Sequence, residues 1–323
     1  MALLIIILSA NSSLAQDLTS PVIWRDTSPL AGLFGEPLPV VDTRHPGWSQ
    51  SLRIQVSNSF THRTRPAENL SFDGETEATE LTFQRNFRNT VFSVTLPFIR
   101  HHGGYLDRLI DTYHGLTSLP DRGRSDAAYG EVMFEWRDEN PLILLNTETS
   151  GPGDLRLQAS QQLRNDPRDH AGFFLKLPTG QASDLTGSGA VDLGVFIQSE
   201  RQMNFLGKRP TLHVLGGVTL LGRGDLTPER QDRVRWLGRT TLAFPLGPRS
   251  SIAAHVELAS PLYQSALRAA RGQTGVGGLV LRRRWSQHLV EVGFHEDILP
   301  GSAADFSVSL RFSRLSLKHD SVI

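Results

Sequence analysis

The sequence predicts an all-β fold, a transmembrane up-and-down antiparallel β-barrel of about fourteen strands (alternative twelve) with a short helix in one long loop. Three observations lead there. From residue 50 onward, apolar and polar residues alternate in segments of about ten. No stretch reaches the ~18 consecutive apolar residues that a spanning helix needs. The non-apolar face of the segments carries charges of both signs, as a wetted barrel interior does.

Composition removes several function classes. The chain has 323 residues, 33 basic against 33 acidic, so its formal net charge of zero gives no electrostatic case for nucleic acid. There is no cysteine, which excludes disulfides, thiolate metal ligands and cysteine nucleophiles. No cofactor is expected.

The N-terminus reads as an export signal over residues 1–15. Ala2 to Leu8 form a short apolar run, and small residues at Ser13 and Ala15 suit cleavage after Ala15. Residues 16–48 follow as an irregular arm, with Pro21, Pro29, Pro37, Pro39 and Pro46 and no apolar period. Such an arm lies either below a barrel or inside it. The barrel is expected over 49–323, in a bacterial outer membrane, with outer-membrane lipid and the barrel-assembly machinery as partners. Phe312 supplies an aromatic near the last strand's end.

The alternation assigns faces residue by residue. Leu52, Ile54 and Val56 point one way and Arg53, Gln55 and Ser57 the other. Phe92, Val94, Leu96 and Phe98 alternate with Ser93 and Thr95, and Val191, Leu193, Val195 and Ile197 with Asp192 and Gly194. Ile252, Ala254, Val256 and Leu258 alternate with His255 and Glu257. Thirteen segments are plain, and an even count is required to return the chain to its starting side. Pro141 to Asn146 then serves as the fourteenth. Short turns are expected at 87–89, 137–140, 164–169, 246–250 and 285–287, and long loops at 61–77, 100–126, 179–188, 222–233, 260–273 and 297–304.

The polar face gives the candidate lumen residues: Arg53, Glu131, Glu135, Arg156, Lys176, Asp192, His213, Arg235, Arg239, His255, Glu257, Glu291, His295 and Arg311. Buried charges must be paired or hydrated, so these form either a bracing ion network or the wall of a water-filled route. The run Arg282-Arg283-Arg284-Trp285 reads as an interfacial anchor. In the loop 100–126, Leu106, Leu109, Ile110 and Tyr113 have helical spacing, and Asp107, Asp111 and His114 fall near one face. With His101 and His102 they form a candidate constriction, whose ordinary reading is a solvated helix face rather than a metal site. Val56-Ser57-Asn58-Ser59 superficially resembles a barrel phospholipase segment, but Ser57 belongs to the inward set. No catalytic residues are assigned.

Several short motifs occur in a characteristic order: Ser28-Pro29-Leu30, Phe72-Asp73-Gly74-Glu75, Leu96-Pro97-Phe98, Gly103-Gly104-Tyr105-Leu106-Asp107 with His114, and Gly153-Asp154-Leu155. Lys176-Leu177-Pro178-Thr179-Gly180, Gly187-Ser188-Gly189 with Asp192, Ser260-Pro261-Leu262-Tyr263, and Glu296-Asp297-Ile298 continue it. In this order the chain resembles an uncharacterised outer-membrane β-barrel family, domain of unknown function 3187. The resemblance implies a membrane barrel and no activity. The Gly-Asp-Leu and Leu-Pro-Thr-Gly pieces are also similar to barrel proteins encoded with aromatic-degradation pathways, which implies passage of a small, hydrophobic solute. The competing reading is a closed structural or adhesive barrel.

Overall fold

The computed structural model describes residues 18–34, 41, 47–65, 68–106, 110, 112, 130–137, 141–163, 168–267, 270, 272–299 and 303–314. Among the described residues, a short helix, α1 (Pro29–Phe34), precedes fifteen strands. These are β1 (Gly47–Arg65), β2 (Glu68–Phe87), β3 (Thr90–His102), β4 (Met133–Arg137), β5 (Pro141–Leu145), β6 (Thr149–Pro152), β7 (Leu155–Gln162) and β8 (Asp169–Leu177). They continue as β9 (Asp192–Gln202), β10 (Thr211–Leu220), β11 (Val234–Gly247), β12 (Ser250–Ala259), β13 (Thr274–Trp285), β14 (His288–Leu299) and β15 (Phe306–Arg314).

All fifteen strands belong to one antiparallel sheet, and twelve of them form a closed ring. Each ring strand pairs with its neighbour in sequence, apart from the step from β3 to β7, and β1 closes on β15 from Gln50↔Arg314 to Asn58↔Phe306. Closure leaves no free edge around the ring, the condition for burying backbone polar groups in lipid. The ring count is therefore twelve, the alternative to fourteen.

The remaining three strands account for the difference. β6 continues the line of β7 along β3, interrupted at Gly153 and Asp154. Pro141–Leu145 is a strand, but it pairs only with β4, and β4 pairs with β2 at Asn69–Asp73, above the ring. The expected loop 61–77 is largely strand, because β1 and β2 run on together as a long hairpin to Arg65↔Glu68. The antiparallel register puts Arg137 and Pro141 at the long-loop end, so the short turn expected at 137–140 does not begin on the short-turn side. Outside the bilayer nothing forces an apolar-out alternation, so these extensions look like polar loop in the sequence.

The ring inverts the burial of a water-soluble fold. Val195 and Ile197 are 60% and 66% exposed, while Asp192, on the inner face of the same strand, is fully buried. Phe92, Leu96, Phe98, Phe173, Trp236, Leu279 and Phe312 join the exposed set. Inside, β8 and β9 show how large side chains fit the inner face. Phe174 lies opposite Gly194 and Phe196 opposite Gly172. A Cβ on Gly194 would come within 2.0 Å of the Phe174 ring, so each glycine makes room for the ring across the strand.

Candidate functional site

The interior is occupied by the protein's own N-terminal segment, residues 18–34. Its lower end lies near the short turns: Ser251 Oγ and Arg282 Nη1 donate to the carbonyls of Leu18 and Ser20. Its upper end reaches the long loops, where Tyr263 donates to the carbonyl of Leu30 (2.9 Å) and Lys176 to that of Leu33 (3.1 Å). Val41 is again inside, exchanging two hydrogen bonds with the Gln198 amide. Of the two placements open to the arm, the lumen is the observed one for residues 18–34 and Val41.

The local sequence explains the shape. Pro21 and Pro29 bracket a stretch that makes no strand pairing. Ser28 caps α1, accepting from Ala31 N at its hydroxyl and from Gly32 N at its carbonyl, and Pro29 takes the first helical position, where a missing N–H costs nothing. Asp26 holds the start of this turn through Ser28 N and fixes it to Ala304 N near the rim.

The wall grips this segment mainly by its backbone oxygens. Arg239 donates from Nη1 to Val22 O (3.0 Å) and from Nη2 to Trp24 O (2.9 Å). Arg282 reaches Ser20 O and Pro21 O, Gln55 reaches Arg25 O, and His213 Nε2 lies 2.6 Å from Thr19 O. Thr27 adds a hydroxyl contact of 2.6 Å to Ser57. Each bond satisfies a carbonyl that would otherwise be buried and unpaired.

Carboxylates compensate the arginines from behind. Arg239 Nε donates to Glu257 and Arg282 Nε to Glu291, both at 2.7 Å, and Arg311 also binds Glu291 at 2.6 Å. Glu80 sits among Arg53, Arg156 and, on the segment, Arg25. Lys176 is enclosed by Asp192 (2.7 Å), Asp154 (3.2 Å) and Ser188. His255 Nε2 lies 2.8 Å from His295 Nδ1, and the indole of Trp24 packs on both imidazoles at centroid distances of 6.1 and 5.4 Å.

The long-loop end is capped by an apolar cluster. Leu30, Ala31 and Leu33 of the segment pack with Phe72, Phe134, Trp136, Ile143, Leu262 and Tyr263. Glu68 fastens the cap by accepting from Trp136 Nε1 (2.7 Å), Ser265 Oγ (2.6 Å) and Ala266 N (2.9 Å). Burial pushes its carboxyl up, but these donors and Arg230 outweigh burial and hold it below the usual range. A small cavity remains between the segment and the β2–β3 wall, lined by Arg25, Ser28, Gly32, Thr76, Ile99 and His101.

The structure gathers Arg53, Lys176, Asp192, Arg235, Arg239, His255, Glu257 and Glu291 inside the ring as buried residues, with Arg156 and Arg311 partly buried beside them. Glu131 and Glu135 are not brought there. Glu131 is exposed ahead of β4, and Glu135 lies on β4 above the ring, paired with Arg137. His101 is buried between Thr76 and Leu185 O, and His102 lies beside Tyr105. Asp107, Asp111 and His114 lie outside the described residues. Arg282 is corrected: it points inward, while Arg283 and Trp285 face out. The alternation signals it, since Leu281 is an outward residue. Glu80 and Trp24 were missed. Glu80 is readable from the inward set Ala78 and Glu80 on β2, whereas nothing in the sequence marks Trp24.

A closed antiparallel ring with an apolar outer belt and a charged, self-occupied interior defines a transmembrane β-barrel of the outer-membrane type. The chain belongs to the family described as "Protein of unknown function (DUF3187)", whose model matches residues 1–313. No curated protein matches significantly. Among solved structures, the COG4313 outer membrane channel from Pseudomonas putida F1 is 15% identical with a TM-score of 0.55, covering 86% of this chain and 97% of that one. The NanC porin is 9% identical (TM-score 0.46; 83% and 100% covered), and the toluene transporter TbuX of Ralstonia pickettii 7% identical (TM-score 0.41; 93% and 99% covered). Of these three likenesses the first speaks to the fold, and to the fold alone.

Proposed function

We propose that the protein is a passive channel of the bacterial outer membrane for a small solute with apolar character, held shut at rest by its own residues 18–34. One observation carries this reading: the segment fills the lumen without joining the sheet, held chiefly by side-chain donors on its carbonyl oxygens. Such bonds break one at a time and leave the ring's ladders intact. A twelve-strand ring is wide enough to leave a route once emptied, unlike an eight-strand barrel that side chains can fill. The reading includes no catalytic step. Ser57 donates or accepts within a cluster of Thr27, Gln55 and Ser307.

The apolar cap at the long-loop end favours a second reading, a permanently closed structural barrel. A tether separates the two. The chain has no cysteine of its own, and the hydroxyls of Thr27 and Ser57 are 2.6 Å apart. The double variant Thr27→Cys/Ser57→Cys therefore allows a disulfide that pins the segment to β1. In planar bilayers, oxidised protein is expected to stay silent and reduced protein to open. Equal openings in both states would remove the segment as the gate, and silence in both would favour the closed barrel.

A further inference from the structure

We propose that the recess now filled by Trp24 is a binding site for an aromatic carboxylate, the class of solute the channel passes. This rests on the reading that the segment leaves the lumen, and deepens it.

Trp24 together with its neighbour Val22 already presents the parts of such a ligand. The indole is buried against the imidazoles of His255 and His295, in a cluster with Ala243, Ala253, Val276 and Val280 of the wall. The imidazoles fit because the wall beside them is Gly278. A Cβ there would fall 2.4 Å from both His255 Nε2 and His295 Nδ1. At the other end, the two terminal nitrogens of Arg239 point into the recess and hold two carbonyl oxygens, those of Val22 and Trp24. Glu257 accepts from Nε and from one N–H of Nη2 on the same guanidinium, which fixes the direction of the fork and leaves the other N–H of Nη2 for Trp24 O.

A guanidinium with both terminal nitrogens presented side by side matches one carboxylate in a bidentate bond. Two neutral oxygens from separate residues fill it now. An anion in their place makes charge-assisted bonds, which are shorter and stronger than neutral ones. A neutral aromatic solute leaves the fork without acceptors, and an alkyl acid leaves the imidazole face uncovered.

Calorimetric titration of the full-length protein in detergent tests this, with indole-3-acetate as the acid and indole-3-acetamide as its neutral counterpart. The acid is expected to bind at least roughly tenfold tighter than the amide. Trp24→Ala, which empties the indole's place beside the imidazoles while the two carbonyls still compete for Arg239, is expected to tighten the acid several-fold, since occupancy of the site by the segment lowers apparent affinity. Arg239→Gln/Glu257→Gln, which removes the pair without stranding a charge, is expected to abolish the preference for acid over amide. Retention of the unboiled fast-migrating band confirms that each variant is folded. The site is refuted if Trp24→Ala leaves acid binding unchanged, or if the double variant keeps the preference. Tethered protein that opens on reduction while acid binding ignores Trp24→Ala would sink the site and leave the channel. Silence in every redox state with tightened binding in Trp24→Ala would do the reverse.

Discussion

The ammonium of Lys176 lies 2.7 Å from the carboxylate of Asp192 on the adjoining strand, and the same ammonium donates to the carbonyl of Leu33 at 3.1 Å. One buried cation thus joins β8, β9 and the top of the N-terminal segment. Asp154 and Ser188 complete its surroundings, and Asp154 also accepts from the backbones of Gly180 and Ser188. The Lys-Leu-Pro-Thr-Gly and Gly-Ser-Gly motifs meet here.

Lys176→Met should therefore strand two buried carboxylates and free the Leu33 carbonyl. Removing one member of a buried ion pair costs about 3–5 kcal/mol. The expected outcome is a matching loss in urea titrations of folding into vesicles, with earlier protease cutting within residues 18–34. A loss below about 1 kcal/mol would mean that water replaces the ammonium at little cost.

The outer belt makes a depth-dependent prediction. Ile197, at mid-strand on β9, is 66% exposed, and Leu220 ends β10 at 57%. Arginine at the bilayer midplane costs about 2–4 kcal/mol and near the interface about 0–1. Ile197→Arg is expected to show the larger penalty in the same vesicle assay and Leu220→Arg the smaller. Equal penalties would place the belt wrongly.

The cap has a pH dependence with a definite sign. Glu68 sits below its ordinary pKa in the folded protein, because its donors outweigh burial. A carboxyl depressed on folding contributes stability above its unfolded pKa, and that contribution fades as pH falls through the folded value. The Glu68 clasp is thus expected to hold at neutral pH and release only in acid, below the ordinary glutamate range. Trp136, whose indole donates to Glu68, reports it by fluorescence. Glu68→Gln should flatten that acid transition.

The barrel wall was legible because the bilayer imposes the pattern. Leu52, Ile54 and Val56 against Arg53, Gln55 and Ser57 can be sorted without coordinates, and so can Arg239 and Glu257. Beyond the bilayer that pressure stops. Residues 61–65 and 68–77 are mostly polar, with Leu70 and Phe72 the apolar exceptions, yet form strands, and Pro141–Leu145 is apolar yet stands outside the ring. Parity allowed twelve or fourteen equally, so it could not resolve them. The lumen arm was illegible for another reason. Its contacts run from Arg239, Arg282 and Gln55 to backbone oxygens, and a carbonyl leaves no mark in a sequence.

Those carbonyls have a consequence for how the chain can change over time. Every amino acid brings the same oxygen, so a stopper recognised through its main chain tolerates drift in the side chains of Thr19, Ser20 or Val22 while staying seated. What such a stopper must keep is its path. An inserted or deleted residue between Leu18 and Trp24 would shift each oxygen past its donor, and would uncork the barrel where substitutions at Thr19 or Ser20 would not.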